Sequence, residues 1–193
     1  MKIFGIICEY NPFHNGHARQ LEFCRSNGAD LIFCAMSGDF TQRGEPAVLE
    51  KRIRAKHAVQ SGADLVAELP LPYAAAGAKD FAEGGVKLLE KMGCTHNSLK
   101  LHIKAGKSYP VSAELAGEEY GGVLNAPNNI LAVEYLKALR REASPIVPLT
   151  ITRCGAMHDG APEGRFSSAS HLRTLLYEDR VTACAAYMPA PAY

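Results

Sequence analysis

The sequence predicts an α/β fold, a Rossmann-like doubly wound parallel sheet, and three observations predict it. Apolar runs of strand length recur at residues 2–9, 29–36 and 63–69, as expected of parallel strands buried on both faces. Each run is followed by a stretch of helical character that stops at a glycine, Gly28, Gly62 or Gly93, as helices commonly do. The resulting strand, helix, strand, helix order calls for right-handed crossovers and places the turns 9–16, 37–44 and 70–76 at the carboxyl ends of the strands, where such sheets bind ligands.

Taken in order, Lys2 to Glu9 reads as a central strand broken by Asn11-Pro12, and His17 to Arg25 as a helix ended by Asn27-Gly28. Ala29 to Met36 is the second strand, closed by Ser37-Gly38-Asp39. Pro46 to Ser61 reads as a helix carrying Lys51, Arg52, Arg54, Lys56 and His57; a solvated face is the ordinary reading of such a charge cluster, and an RNA-phosphate contact is the functional one. Ala63 to Leu69 is a third strand and Asp80 to Met92 a third helix. Thr95 to Ala126 gives weak signals of either kind and no clear fourth strand. Pro127-Asn128-Asn129 starts a helix reaching Arg141, Ile146 to Ile151 is a strand, and Ser167-Ser168 caps a helix through Leu176.

Composition bounds the function. With 193 residues, 47% apolar and 21% charged, the chain is long enough for one well-buried domain. No apolar run approaches the roughly 18 residues of a membrane span, and the run after Lys2 is too short for a signal peptide, so a cytoplasmic location without a membrane partner is expected. The net charge of +1 excludes a strong global basic field but leaves a local nucleic-acid-binding face open. Six cysteines with no Cys-x-x-Cys spacing argue against zinc and redox motifs, and mostly buried thiols are expected.

The chemistry concentrates in Glu9-Tyr10-Asn11-Pro12-Phe13-His14-Asn15-Gly16-His17, at the junction of the first strand and helix. A His-x-Gly-His element there has a physical use. Gly16 admits a close approach of backbone to a nucleotide, the helix amino terminus favours phosphate, and two imidazoles can donate to phosphate oxygens as pyrophosphate leaves. The ordinary alternative is a pair of surface or capping histidines. A second signal is Ser167-Ser168 with Arg173 one turn on, a candidate second half of a triphosphate clamp; a plain helix cap is its ordinary reading. In the loop after the second strand, Arg43 is a candidate for holding a phosphate or a carboxylate, beside Asp39 and Glu45. Asp30, Asp64 and Glu68 do not have metal-site spacing, and no metal ligands are assigned.

His14-Asn15-Gly16-His17 together with Ser167-Ser168 and Arg173 resembles the nucleotidyltransferase superfamily and the class I aminoacyl-tRNA synthetase catalytic domain. The longer strings 36–46 (Met-Ser-Gly-Asp-Phe-Thr-Gln-Arg-Gly-Glu-Pro), 64–70 and 127–139 resemble the bacterial tRNA(Met) cytidine acetate ligases within it. The resemblance implies a HUP-type nucleotidyltransferase domain over residues 1–176, with 177–193 a carboxyl-terminal extension leading into a further region. It implies adenylation of acetate by ATP, with Mg2+ carried by the nucleotide, and transfer of the acetyl group to N4 of the wobble cytidine of elongator tRNA(Met). It implies catalytic roles for His14, His17 and Arg173, and nucleotide binding by Ile7, Cys8, Glu9, Tyr10, Asn11, Pro12, Phe13, His14, Asn15, Gly16 and His17. Asn128 or the adjacent Asn129, Arg153, Ser167 and Ser168 complete that set. The family's Phe-Gly-Ser-Glu segment has no counterpart after Gly93. A small-molecule adenylyltransferase and a non-catalytic ATP- or RNA-binding remnant are the alternative functions.

Overall fold

The computed structural model describes residues 1–101, 127–152 and 162–193. Five strands, β1 (Ile3–Cys8), β2 (Leu31–Ser37), β3 (Leu65–Leu69), β4 (His96–Leu101) and β5 (Val147–Thr152), form a sheet in the order β3-β2-β1-β4-β5. Every pairing is parallel, from Ile3 opposite Leu31 to Cys8 opposite Met36 in the β1–β2 pair. The chain leaves β1 toward β2 on one side and returns to β4 on the other, so the order reverses at β1 and a crevice opens beyond its carboxyl end.

The helices are α1 (Asn15–Ser26), α2 (Lys51–Gln60), α3 (Leu71–Ala74), α4 (Ala78–Lys91), α5 (Pro127–Arg141), α6 (Ala169–Tyr177) and α7 (Val181–Cys184). They cover both faces of the sheet, and β1 shows why. Phe4 and Ile6 enter a core with Leu21 and Cys24 of α1, Ala58 of α2 and Leu172 and Leu175 of α6. Ile3 enters a second core with Phe81, Val86 and Leu89 of α4 and Ala138 and Leu139 of α5. A strand sandwiched in this way must be apolar at nearly every position, which is how β1 reads. Cys184, Met188 and Ala192, from the segment after α6, are buried in the first core. None of the described cysteines forms a disulfide, and Cys24, Cys34, Cys94 and Cys184 are buried. No helix among the described residues is long and apolar enough to cross a membrane.

The structure corrects three expectations. A fourth strand exists, pairing with β1 at Phe4–His96 and Gly5–Asn97 and with β5 along its length. Its polar Asn97 and Ser98 hide it in the sequence; Ser98 is covered by the Gln20 amide, which donates to its carbonyl and hydroxyl at 3.1 and 3.3 Å. Helix α2 begins at Lys51, not Pro46, because residues 39–47 fold back on themselves, with Phe40 bridged to Pro46 and the Ala47 amide bonded to the Asp39 carbonyl. Within the α2 charge cluster, Arg54 is neither solvated nor available to RNA, being 0% exposed.

Helix α4 contains two glycines that set how closely it packs. A Cβ on Gly84 would lie 2.3–2.6 Å from Cγ, Cβ and Cδ1 of Tyr73 in α3, and one on Gly85 2.6–2.9 Å from Ile7 of β1. Gly84→Ala would gain about 1 kcal/mol of helix propensity, but overpacking costs about 1–3 kcal/mol and Tyr73 Cβ cannot move without α3. A lower midpoint in urea denaturation is therefore expected; an unchanged or raised midpoint would mean that α3 yields freely.

Candidate active site

The turn between β1 and α1 is built by its own side chains. His14 is the N-cap of α1: its Nδ1 accepts from the Gly16 amide at 3.0 Å, while His17 Nδ1 accepts from the His14 amide at 3.2 Å, a reciprocal capping box made from imidazoles. An imidazole nitrogen that accepts a backbone N–H carries no proton, so in each neutral ring the proton sits on Nε2. The rings stack with centroids 3.7 Å apart, and His17 meets Tyr10 edge-on at 4.8 Å and Phe13 at a tilt at 5.5 Å. Tyr10 adopts φ 49°, unusual for a bulky residue, with its ring buried and its hydroxyl 3.4 Å from Cys34 Sγ. Gly16 has no room for a side chain, since a Cβ would lie 2.9 Å from the His14 ring.

These residues line a cleft of about 400 Å³ at the carboxyl end of β1. Of the positions singled out in the sequence, Ile7, Cys8, Glu9, Tyr10, Asn11, His14, Gly16, His17, Ser167, Ser168 and Arg173 all line it. Residues some 150 positions apart thus meet. Ser168 caps α6 by accepting from the His171 amide at 3.1 Å, and Arg173 donates to the Asn11 carbonyl at 2.9 Å and the Ser170 hydroxyl at 3.2 Å. The amino termini of α1 and α6 therefore converge on one space, and each favours an anion there.

Other expected positions fall elsewhere. Phe13 is a core residue at 0% exposed and Pro12 is buried. Asn15 turns away to bond the carboxyl-terminal segment, donating from Nδ2 to the Arg165 carbonyl at 2.8 Å and the Ala186 carbonyl at 3.4 Å, and from its amide to Tyr187. Asn129 is buried in α5. The Asn128 side chain and Arg153 lie outside the described residues.

Sequence reasoning missed part of the lining: Arg19 and Gln20 of α1, Thr41 and Gln42 of the β2–α2 loop, Phe81 of α4, Ser98 of β4, and Tyr135 of α5. Thr41, Gln42 and Tyr135 lie within strings that carry the resemblance, but no local pattern gives any of these residues a place in the site; they meet only through the sheet order. Burial pushes the phenols of Tyr10 and Tyr135 well above their ordinary pKa, so neither supplies a base to the cleft. No group of three or more His, Cys, Asp and Glu able to hold a metal ion occurs among the described residues.

One wall of the cleft is held by a buried cation. The Arg54 guanidinium donates to the carbonyls of Glu9, Ser37, Gly38 and Leu49, tying the ends of β1 and β2 to the β2–α2 loop. Glu9 Oε1 accepts from the Gln42 amide at 2.7 Å, Asn11 Oδ1 from the Val48 amide at 2.7 Å, and Gln42 Nε2 donates to the Ala76 carbonyl at 3.0 Å. Lys51 is occupied by Glu68 at 2.9 Å and Asp39 at 3.4 Å.

Comparison with known proteins follows the same residues. The family model HIGH Nucleotidyl Transferase matches residues 1–99 and 95–193. The chain is 40% identical over 211 residues to the tRNA(Met) cytidine acetate ligase of Acetivibrio thermocellus, covering 90% of this chain and 51% of that protein. It is 36% identical to that of Thermoanaerobacter sp., covering 98% of this chain and 56% of the relative. The chain thus spans about half the length of these curated relatives. Two crystal structures of Thermotoga maritima TmcAL superpose at 33% identity over all of this chain. The apo form gives a TM-score of 0.88 and covers 55% of that protein; the form bound with alpha-thio ATP gives 0.85 and covers 54%.

Proposed function

Because the chain belongs to the HIGH nucleotidyl transferase family, we propose that it binds ATP in the cleft beyond β1, adenylates acetate there, and supplies the acetyl group to N4 of the wobble cytidine of elongator tRNA(Met). The observation that carries this reading is the stacked His14–His17 pair at the amino terminus of α1, with both Nδ1 atoms accepting backbone amides, which assigns the proton of each neutral ring to Nε2. Two preset N–H donors beside converging helix termini suit a triphosphate whose negative charge moves onto pyrophosphate.

In the reaction a carboxylate oxygen bonds to the α-phosphorus of ATP, the bond from that phosphorus to the bridging oxygen breaks, and pyrophosphate departs. His14 and His17 stabilise the charge on the phosphates, Ser167, Ser168 and the α6 amides hold the far end, and the backbone from Ile7 to Asn11 carries the nucleoside. Arg173 acts on the phosphates and also fixes the Asn11 carbonyl. Asn128 or Asn129 and Arg153 belong to the same nucleotide site by resemblance. Mg2+ enters with ATP, held by phosphate oxygens and water; no protein ligand is assigned to it. The names of the relatives and the ATP analogue in TmcAL support this reading.

The test is exchange of labelled pyrophosphate into ATP without RNA. Exchange that requires acetate is the expected result. ATP binding with no exchange under any acid would instead favour a nucleotide-binding protein that does not adenylate.

A further inference from the structure

The cleft has two sides, set by the sheet order. The residues assigned to the nucleotide lie on β1, on α1, and on α5 and α6. The β2 side is formed by the β2–α2 loop, whose Thr41, Gln42, Arg43 and Glu45 line the same space and have no role in holding ATP in the reading above. An adenylating enzyme must place a carboxylate against the α-phosphate, and this loop brings a cation and hydrogen-bonding side chains to the same cleft.

Three features of the loop suit a carboxylate. First, its cation is uncommitted: Arg43 forms no ion pair among the described residues, in contrast to Lys51 nearby, which holds Asp39 and Glu68. Second, the Thr41 hydroxyl, in a residue only 4% exposed, is buried without a hydrogen-bond partner among the described residues; such an orphan costs about 1–3 kcal/mol until it is paired. Third, the loop is rigidly presented, by Arg54 on the Gly38 and Leu49 carbonyls and by Glu9 on the Gln42 amide. Gln42 also donates to the Ala76 carbonyl, just before α4, whose apolar Ala78 and Phe81 line the same cleft.

We propose that the β2–α2 loop is the acid-binding subsite of the adenylation reaction. Arg43 and the Thr41 hydroxyl hold the carboxylate of a short-chain monocarboxylic acid, whose alkyl end rests on Ala78 and Phe81. Glu45 repels a second carboxylate and so disfavours dicarboxylic acids. The assignment rests on the adenylation reading, and its test separates the two.

Acetate is titrated calorimetrically into the full chain loaded with an ATP analogue bearing a methylene between the α- and β-phosphates. The proteins compared are the unsubstituted chain, Arg43→Gln and Thr41→Val; pyrophosphate exchange is measured alongside. The expected result is acetate binding weakened about tenfold or more in Arg43→Gln, as loss of a charged partner implies, and severalfold in Thr41→Val. Affinity for the analogue should stay within about threefold, and succinate should bind the unsubstituted chain more weakly than acetate. Loss of analogue affinity with acetate binding unchanged would assign Arg43 to the triphosphate and overturn the proposal. Acetate-dependent exchange with the same acetate KM in Arg43→Gln would overturn it while leaving adenylation standing. Acetate binding that depends on Arg43 without any exchange would uphold the subsite and overturn adenylation. No acetate binding and no exchange would overturn both.

Discussion

His17→Ala is expected to lower the rate of acetate-dependent pyrophosphate exchange by about a hundredfold to a thousandfold, the usual cost of deleting one preset donor to a developing negative charge. Stability should change little. The ring is only half-buried, and the His14 amide that it accepts, at 3.2 Å, faces a cleft where water can replace the imidazole. Exchange kinetics and thermal melting of the same preparation check both halves. A variant that keeps its melting temperature and exchanges within about threefold of the parent would remove His17 from the chemistry. His14→Ala should show a mixed effect, because it loses both a donor and the N-cap of α1, and caps contribute about 1 kcal/mol.

The second large effect is structural. Arg54→Met retains the length of the side chain and removes the guanidinium that serves four carbonyls at two strand ends and one loop. Hydrogen bonds from a charged donor contribute about 1.5–3 kcal/mol each and the buried carbonyls are left unpaired, so a loss of about 3–5 kcal/mol is expected even after non-additivity. That is a large part of the stability of an ordinary domain. Urea denaturation gives the number directly, and a loss below about 1 kcal/mol would show that water enters and takes over the carbonyls. Arg54→Lys should recover part of the stability, since an ammonium keeps the charge but cannot span the same fork.

These two residues also mark what the sequence makes legible. His17 stands beside an apolar strand and a glycine, so its motif announces both the turn and the chemistry. Arg54 sits in the run Lys51-Arg52-Ile53-Arg54-Ala55-Lys56, where nothing local separates the buried arginine from its solvated neighbours. Its burial follows from Ser37, Gly38 and Glu9 converging in space, which only the sheet order decides. Strand β4 was illegible for a related reason: Ser98 is satisfied by Gln20, 78 positions earlier, so a polar residue occupies a buried strand without penalty. The chain order of β1 and β2 and their helices is readable because these strands are covered on both faces by apolar helix surfaces, and that demand is written into the residues themselves; the edge strand β3 is half-exposed and reads through its turn signals instead.

Asn15 has a consequence beyond the site. Its amide and side chain fasten the start of the first helix to the carbonyls of Arg165, Ala186 and Tyr187. During synthesis the ribosome delivers Asn15 about 150 residues before the first of these carbonyls, at about 5–20 residues per second. The first strand and helix must therefore wait roughly 8–30 seconds before this anchor emerges. In that interval the β1–α1 turn can find its own capping bonds, but the second phosphate-binding helix cannot yet close against it. Assembly of the cleft is therefore a late event in the life of the nascent chain.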